Sequence, residues 1–226
     1  ASLAGGGNSD KAQLCQKGGY LSLGGTNGPF ATQSACVSYA AEGGVLDLPV
    51  GFVLPSAYGF QLDGLTEALA EAGYNAPILT TENTVDERAS VEGLIGQGVK
   101  VLVLAPQDRE AAAAGAGDAH VAGVKVIAYD RLIRGTASVD YYVTFDGMAV
   151  GEAMARFLIH EAGTTTGNSL YLYAGNAEDN NSFLFLEGAW ETLQPFIADG
   201  TFVIRNSAAA AALKAEPVLT REQQAA

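Results

Sequence analysis

Residues Val124 to Phe145 read VKVIAYDRLIRGTASVDYYVTF. A β-branched apolar run, Val124 to Ala128, drops abruptly into Tyr129, Asp130 and Arg131, and a second apolar run follows over Tyr141 to Phe145. The pattern is that of a buried strand ending on adjacent opposite charges. Charges at such a tip need partners or a ligand, because an ionised group taken out of water without either is strongly destabilised.

The upstream sequence builds the layers behind that tip. Pro49 to Leu54 is an apolar run closed by Pro55 and Ser56, which predicts a first strand. Leu62, Leu65, Leu69 and Ala72 recur at helical spacing, with Gly73 as the stop. Ala76 to Leu79 predicts a second strand. Thr84 and Glu87 predict a capping box for a helix whose apolar stripe includes Val91, Leu94 and Ile95. Val99 to Leu104 is continuously apolar, as in a strand buried on both faces, and Arg109 to Ala122 is an Ala-rich helix. Strand and helix alternate with short connections. The expectation is an α/β fold, an open parallel sheet with helices on both faces and right-handed crossovers. Neither GxGxxG nor GxxxxGK[ST] occurs, so the dinucleotide and P-loop fingerprints are missing.

Downstream, Asp146-Gly147 marks a crossing into a new cycle. It predicts a helix over Met148 to Glu161, a strand over Ser169 to Ala174, a long helix over Phe183 to Ala198 carrying Trp190, and a strand over Phe202 to Arg205. An Ala-rich stretch, Ser207 to Lys214, follows. Two strands and their helices make a marginal free-standing domain. The reading is a complete first α/β domain over residues 45–146 and a partial second one over residues 147–226.

Residues Ala1 to Asp10 are rich in Gly, Ser and Asn and read as a linker. The LAGGG within it is similar to a bacterial lipoprotein cleavage box without its cysteine; export with an N-terminal anchor and a simple flexible leader both fit. Lys11 to Gly44 carries too few apolar residues for a core. A Cys15–Cys36 disulfide would staple it into a small unit of its own, stabilising it by about 3 kcal/mol; two reduced, unrelated cysteines are the alternative.

The 226 residues are 48% hydrophobic and 16% charged, ample for a core. A net charge of −13 repels phosphate backbones and argues against a nucleic-acid partner. No run of about twenty apolar residues predicts a transmembrane helix. His120 and His160 lie far apart in Ala-rich helical stretches without ligand spacing, so neither a metal nor another cofactor is expected.

In open α/β sheets, ligands bind beyond the carboxyl ends of the strands. Ser56, Tyr58 and Phe60 follow the first strand, Gln107 and Asp108 the third, and Asp130 and Arg131 the fourth. Glu178, Asp179, Asn180 and Asn181 follow Ser169 to Ala174. Carboxylates, amides, a guanidinium and aromatic faces suit a neutral polyol. Each residue also has a structural alternative. Asp108 and Asn180 could cap helices, Asp130 with Arg131 could form a surface ion pair, Asp179 and Asn181 could serve turns, and Tyr58 and Phe60 could pack in the core.

The stretches VGFVLP, GQGVKVLVLAPQD, AGVKVIAYDRLIR, VDYYVTFD and YLYAGNAEDNNSFLFLEGAWETLQPFI resemble bacterial periplasmic sugar-binding proteins of ABC importers, in the xylose-binding and multiple-sugar-binding branch. The resemblance runs from about Pro49 to Arg205 and leaves out Ala1 to Gly44. It implies a periplasmic-binding-protein fold in which two α/β domains close on one monosaccharide, of xylose, glucose, galactose or arabinose type. Asp108, Asp130, Arg131 and Asn181, with Asn180 beside it, stand at positions that contact sugar hydroxyls in that family. Gly59 and Phe60 stand where the family carries Arg-Trp before Asp63-Gly64, so stacking would pass to Phe60 or Tyr58. The family continues with further strands past LTREQQAA, and the chain reads as shortened relative to it. The resemblance implies a non-enzymatic, monomeric receptor, periplasmic or extracellular, that delivers its sugar to a membrane permease. A sugar-sensing regulatory core, a glycosidase using Asp108 and Asp130, and surface adhesion through the cysteine unit are the alternatives.

Overall fold

A computed structural model describes residues 7–163, 165–176 and 179–206. Glu178 and the Ser207 to Lys214 stretch lie outside these. Two compact units result. The first runs to Gln107 and adds Ala111–Ala128 and Ile133–Tyr141; the second takes Asp108–Glu110, Tyr129–Leu132 and the described residues from Tyr142 onward. The α/β class expected from the alternation is the one observed.

The first unit opens with helix α1 (Asn8–Leu14), so ordered structure begins inside the stretch read as a linker. Two-residue strands β1 (Gly24–Gly25) and β2 (Gly28–Pro29) precede α2 (Gln33–Ala41), whose N-cap Thr32 accepts from the Ala35 amide, and β3 (Leu46–Asp47). Cys15 and Cys36 form the disulfide, Cα atoms 5.7 Å apart, and both are fully buried. The bridge sits in a small cluster with Ala12, Leu23, Ala40 and Leu46, flanked by Tyr20, Phe30, Tyr39 and Tyr74. Those few apolar groups are what a 35-residue segment can gather, and the covalent link supplements them.

From there the strand–helix alternation takes over. β4 (Val50–Pro55) leads through a 3-10 turn into α3 (Gly59–Ala72), ended by Gly73 at φ +72°, a left-handed cap that only glycine adopts without strain. β5 (Tyr74–Asn75) returns to the N-terminal segment, giving a small sheet of order β2-β1-β3-β5 in which β3 and β5 run parallel. The cysteine-bearing segment is therefore hydrogen-bonded into the chain that follows it. β6 (Ile78–Thr81), α4 (Thr84–Gly96), β7 (Val101–Leu104), α5 (Ala112–Val121), β8 (Lys125–Tyr129) and β9 (Tyr141–Val143) complete a second sheet of order β6-β4-β7-β8-β9. β4, β6, β7 and β8 pair in parallel, with Val53 opposite Leu79 and Leu102 opposite Val126. Val53, Leu102, Leu104, Val126 and Ala128 have no exposed surface, as expected of strands covered on both faces.

Several boundaries differ from the sequence reading. The α4 cap is Asn83, whose Oδ1 accepts from the Val85 and Asp86 amides, rather than Thr84. Asn is the better cap because its short side chain reaches two orphan amides at once. Glu87 is instead buried, and its carboxylate accepts from the Gln107 amide at 2.5 Å. Gln107 in turn donates to the Thr81 carbonyl at 2.6 Å, so this strand-tip residue is consumed by the scaffold.

In the second unit, α6 (Gly147–Ala162) packs on α7 (Asn180–Ala198), and β10 (Asn168–Leu170) pairs in parallel with β11 (Phe202–Ile204). The helices touch backbone to backbone. A Cβ added at Gly188 would lie 2.1 Å from the Met148 carbonyl oxygen, and one at Gly151 2.2 Å from that of Phe185, so both positions require glycine. Ala155, Leu170, Leu172, Leu193 and Phe202 form the core here. β10 is shorter than the Ser169 to Ala174 run; beyond Leu170 the chain leaves the ladder, and Tyr171 and Tyr173 are exposed beside an apolar cleft of about 350 Å³ lined also by Met154, Leu158 and Phe185. Among the described residues no helix is long and apolar enough to cross a membrane.

Candidate functional site

Asp130 directly follows β8 in a left-handed conformation, φ +62°. Among the described residues only Lys17 is the other non-glycine with positive φ. Such a backbone costs about 1 kcal/mol or more, which Asp tolerates better than most residues. Hydrogen bonds on both sides of its peptide hold it. The Asp130 amide donates to the Val143 carbonyl at 2.8 Å. Its own carbonyl accepts from the Thr144 hydroxyl at 2.9 Å, the Tyr142 hydroxyl at 3.1 Å and Asn181 Nδ2 at 3.2 Å. Asn181 Nδ2 also lies 3.2 Å from Asp130 Oδ1. Burial pushes the Tyr142 phenol above its ordinary value, reinforced by the Asp130 and Asp179 charges, so it stays a donor at neutral pH.

The start of α7 supplies the other half. Asp179, not Asn180, is the N-cap: its Oδ1 accepts from the Asn181 amide at 3.0 Å. Its Oδ2 makes an ion pair with Arg131 Nε at 3.2 Å. One carboxylate thus fixes both the helix start and the guanidinium. Asn180 is left with no capping role. It is 0% exposed, and neither its Oδ1 nor its Nδ2 has a hydrogen-bond partner among the described residues; nor does Oδ1 of Asn181, which is 4% exposed. Each buried polar atom left so costs on the order of 1–3 kcal/mol. An amide that both donates and accepts, placed at a helix N-terminus, is matched by hydroxyl groups, which do the same.

Asp108 and Arg109 belong to the same unit. Asp108 Oδ1 accepts from the Glu110 amide at 2.8 Å, closing the turn that precedes α5. Arg109 is buried, its guanidinium 5.4 Å from the Phe183 ring centre. Phe183 comes from α7, so the Asp108–Glu110 turn is tied to the helix that carries Asn180. The sequence starts the Ala-rich helix at Arg109, whereas α5 begins at Ala112; the signal that marks Arg109 is a second charge directly after Asp108 in a strand-tip loop. Phe60 and Tyr58 lie in the first unit. Phe60 is 78% exposed on the first turn of α3, whereas Tyr58 is 7% exposed and packs with Leu54 and Ala105, in the core role left open above. Among the described residues no group of three or more His, Cys, Asp or Glu could hold a metal ion.

Asp130, Arg131 and the buried amides at the start of α7 are the group types that solute-binding α/β proteins use. Residues 50–225 match the periplasmic binding protein domain, and the chain belongs to that family. It is 33% identical over 173 residues to the multiple sugar-binding periplasmic receptor ChvE of Rhizobium radiobacter, covering 75% of this chain and 49% of the receptor. It is 38% identical over 112 residues to the D-xylose-binding periplasmic protein of Haemophilus influenzae, covering 50% and 32%. Among solved structures, a carbohydrate transporter solute-binding protein from Chloroflexus aurantiacus, in complex with D-glucose, is 54% identical with a TM-score of 0.70, covering 79% of this chain and 54% of that one. The chain spans about half the length of these relatives or less.

Proposed function

We propose that the chain is part of a sugar receptor that serves an ABC importer from the periplasm or the outer surface, binding a monosaccharide without turning it over. The observation that carries this reading is Asn180, fully buried with both side-chain polar atoms unpartnered among the described residues. The next residue, Asn181, donates to Asp130, and Arg131 is anchored by Asp179. In this reading Asn180 and Asn181 donate to and accept from sugar hydroxyls, Asp130 and Asp108 accept, and Arg131 donates a fixed fork. The glucose bound by the 54%-identical solute-binding protein favours an aldohexose, and the D-xylose-binding relative keeps pentoses in range. A membrane permease is the partner that such a receptor would meet.

Titration calorimetry of the full chain with D-glucose, D-xylose, D-galactose and L-arabinose tests the proposal. Heat from at least one of them, lost in Asn180→Leu, is expected; no heat from any of the four would overturn it.

A further inference from the structure

We infer that Thr144 and Tyr142 are positioning residues for the sugar contact, holding Asp130 in its left-handed backbone so that Asn181 is released to the ligand. The inference rests on the sugar-binding reading and deepens it.

A carbonyl oxygen has two lone pairs, yet that of Asp130 receives three donors. Thr144 Oγ1 at 2.9 Å and the Tyr142 hydroxyl at 3.1 Å come from the strand just beyond the tip, and Asn181 Nδ2 at 3.2 Å from the start of α7. The Asn181 amide is the weakest of the three, because it is shared with Asp130 Oδ1 at the same distance. It can therefore leave without freeing the backbone, provided that the two hydroxyls stay. The Asp130 amide bond to Val143, at 2.8 Å, fixes the same peptide from its other side. Positive φ at a non-glycine persists only where surrounding contacts over-determine it. Here those contacts come from alternate residues at the end of β9 and just after it: the Tyr142 and Thr144 hydroxyls both reach the Asp130 carbonyl, and Val143 offers its own carbonyl between them. The YVT spacing after β8 is thus a device for aiming a carboxylate, and Oδ1 of Asn181, unpartnered among the described residues, gains its own sugar hydroxyl when the amide turns.

The test compares Thr144→Val, Thr144→Ser and Tyr142→Phe in the full chain, by calorimetry with D-glucose and by NMR. Thr144→Val removes one hydroxyl at constant shape and should weaken sugar binding about tenfold, with Tyr142→Phe weaker by about threefold. Thr144→Ser keeps the hydroxyl and should restore affinity to within about twofold. In an Asp130→Ala background Thr144→Val should cost less affinity than it does alone, because no carboxylate is left to aim, whereas a general loss of stability would cost the same in both. The HN–Hα coupling and Cα shift of Asp130 read its φ directly and should move toward extended values in Thr144→Val. Unchanged coupling together with unchanged affinity, beside a weakened Asp130→Ala, overturns the positioning role and leaves the receptor reading intact. A chain that keeps the wild-type coupling response but binds no sugar overturns the receptor reading, and with it the release of Asn181 to a ligand.

Discussion

The cysteine-stapled segment and the Asp130–Asn181 cluster are both small, both rich in polar groups, and built to opposite ends. In the first, polar atoms are spent on the fold. Lys11, buried, donates to the Gly44 carbonyl; Thr26 engages the Tyr39 hydroxyl at 2.8 Å; Asn75 donates to Asp47 at 2.8 Å. A disulfide closes it. In the second, a buried Asn180 and the Oδ1 of Asn181 are left without partners among the described residues, and a backbone is held in a strained region. Stability is invested in one place and withheld in the other, which under the proposed function keeps hydrogen-bonding capacity for a ligand.

That contrast can be broken by mutation. The largest effect is expected from Cys15→Ser with Cys36→Ser, which should lower unfolding stability by about 3 kcal/mol in urea titrations while changing sugar affinity less than about twofold. A large loss of affinity would show that the two regions are not separate in function. Asn180→Leu should act in the reverse sense. Replacing an unsatisfied amide by an apolar group of similar volume should raise stability by about 1 kcal/mol and cost sugar binding at least about tenfold. A destabilised Asn180→Leu would mean that the amide is satisfied within the chain. The smallest effect concerns the pair Lys125–Asp140, Nζ to Oδ1 2.5 Å, in which Lys125 is largely exposed. The Lys125 ammonium, then the Val126 amide, hold the Asp140 carboxyl below its usual 3.8, so the pair's contribution is present above about pH 4 and lost as pH falls through and below it. Asp140→Asn should lower stability only slightly at pH 7 and flatten that acid limb in pH-dependent melts.

The layered sheet was legible because buried parallel strands write themselves as apolar runs: VLVL at β7 and VIA within β8 admit little else. The family resemblance was legible in AYDR and EDNN for the same reason that the strand tips stood out, as polar residues where apolar ones end. Side-chain roles within those tips were not. Asp179 and Asn180 are both good caps by type, and only the turn geometry decides that Asp179 caps and Asn180 is buried. Asn83 and Thr84 present the same ambiguity one helix earlier. Tyr58 and Phe60 differ by two residues across a 3-10 turn, too irregular for periodicity to tell which faces in. Nor does any pattern announce a positive φ at Asp130, whose carbonyl meets hydroxyls twelve and fourteen residues further on.

The apolar cleft beside Tyr171 and Tyr173 has a consequence for handling the protein in solution. Environment-sensitive dyes should adsorb there on the native chain, so a dye-based melt would begin from a raised baseline and blur its first transition. Light scattering should climb with concentration and fall with mild detergent. The single tryptophan, Trp190, sits in the same unit and reports on it from within, which makes intrinsic fluorescence the cleaner gauge of its unfolding.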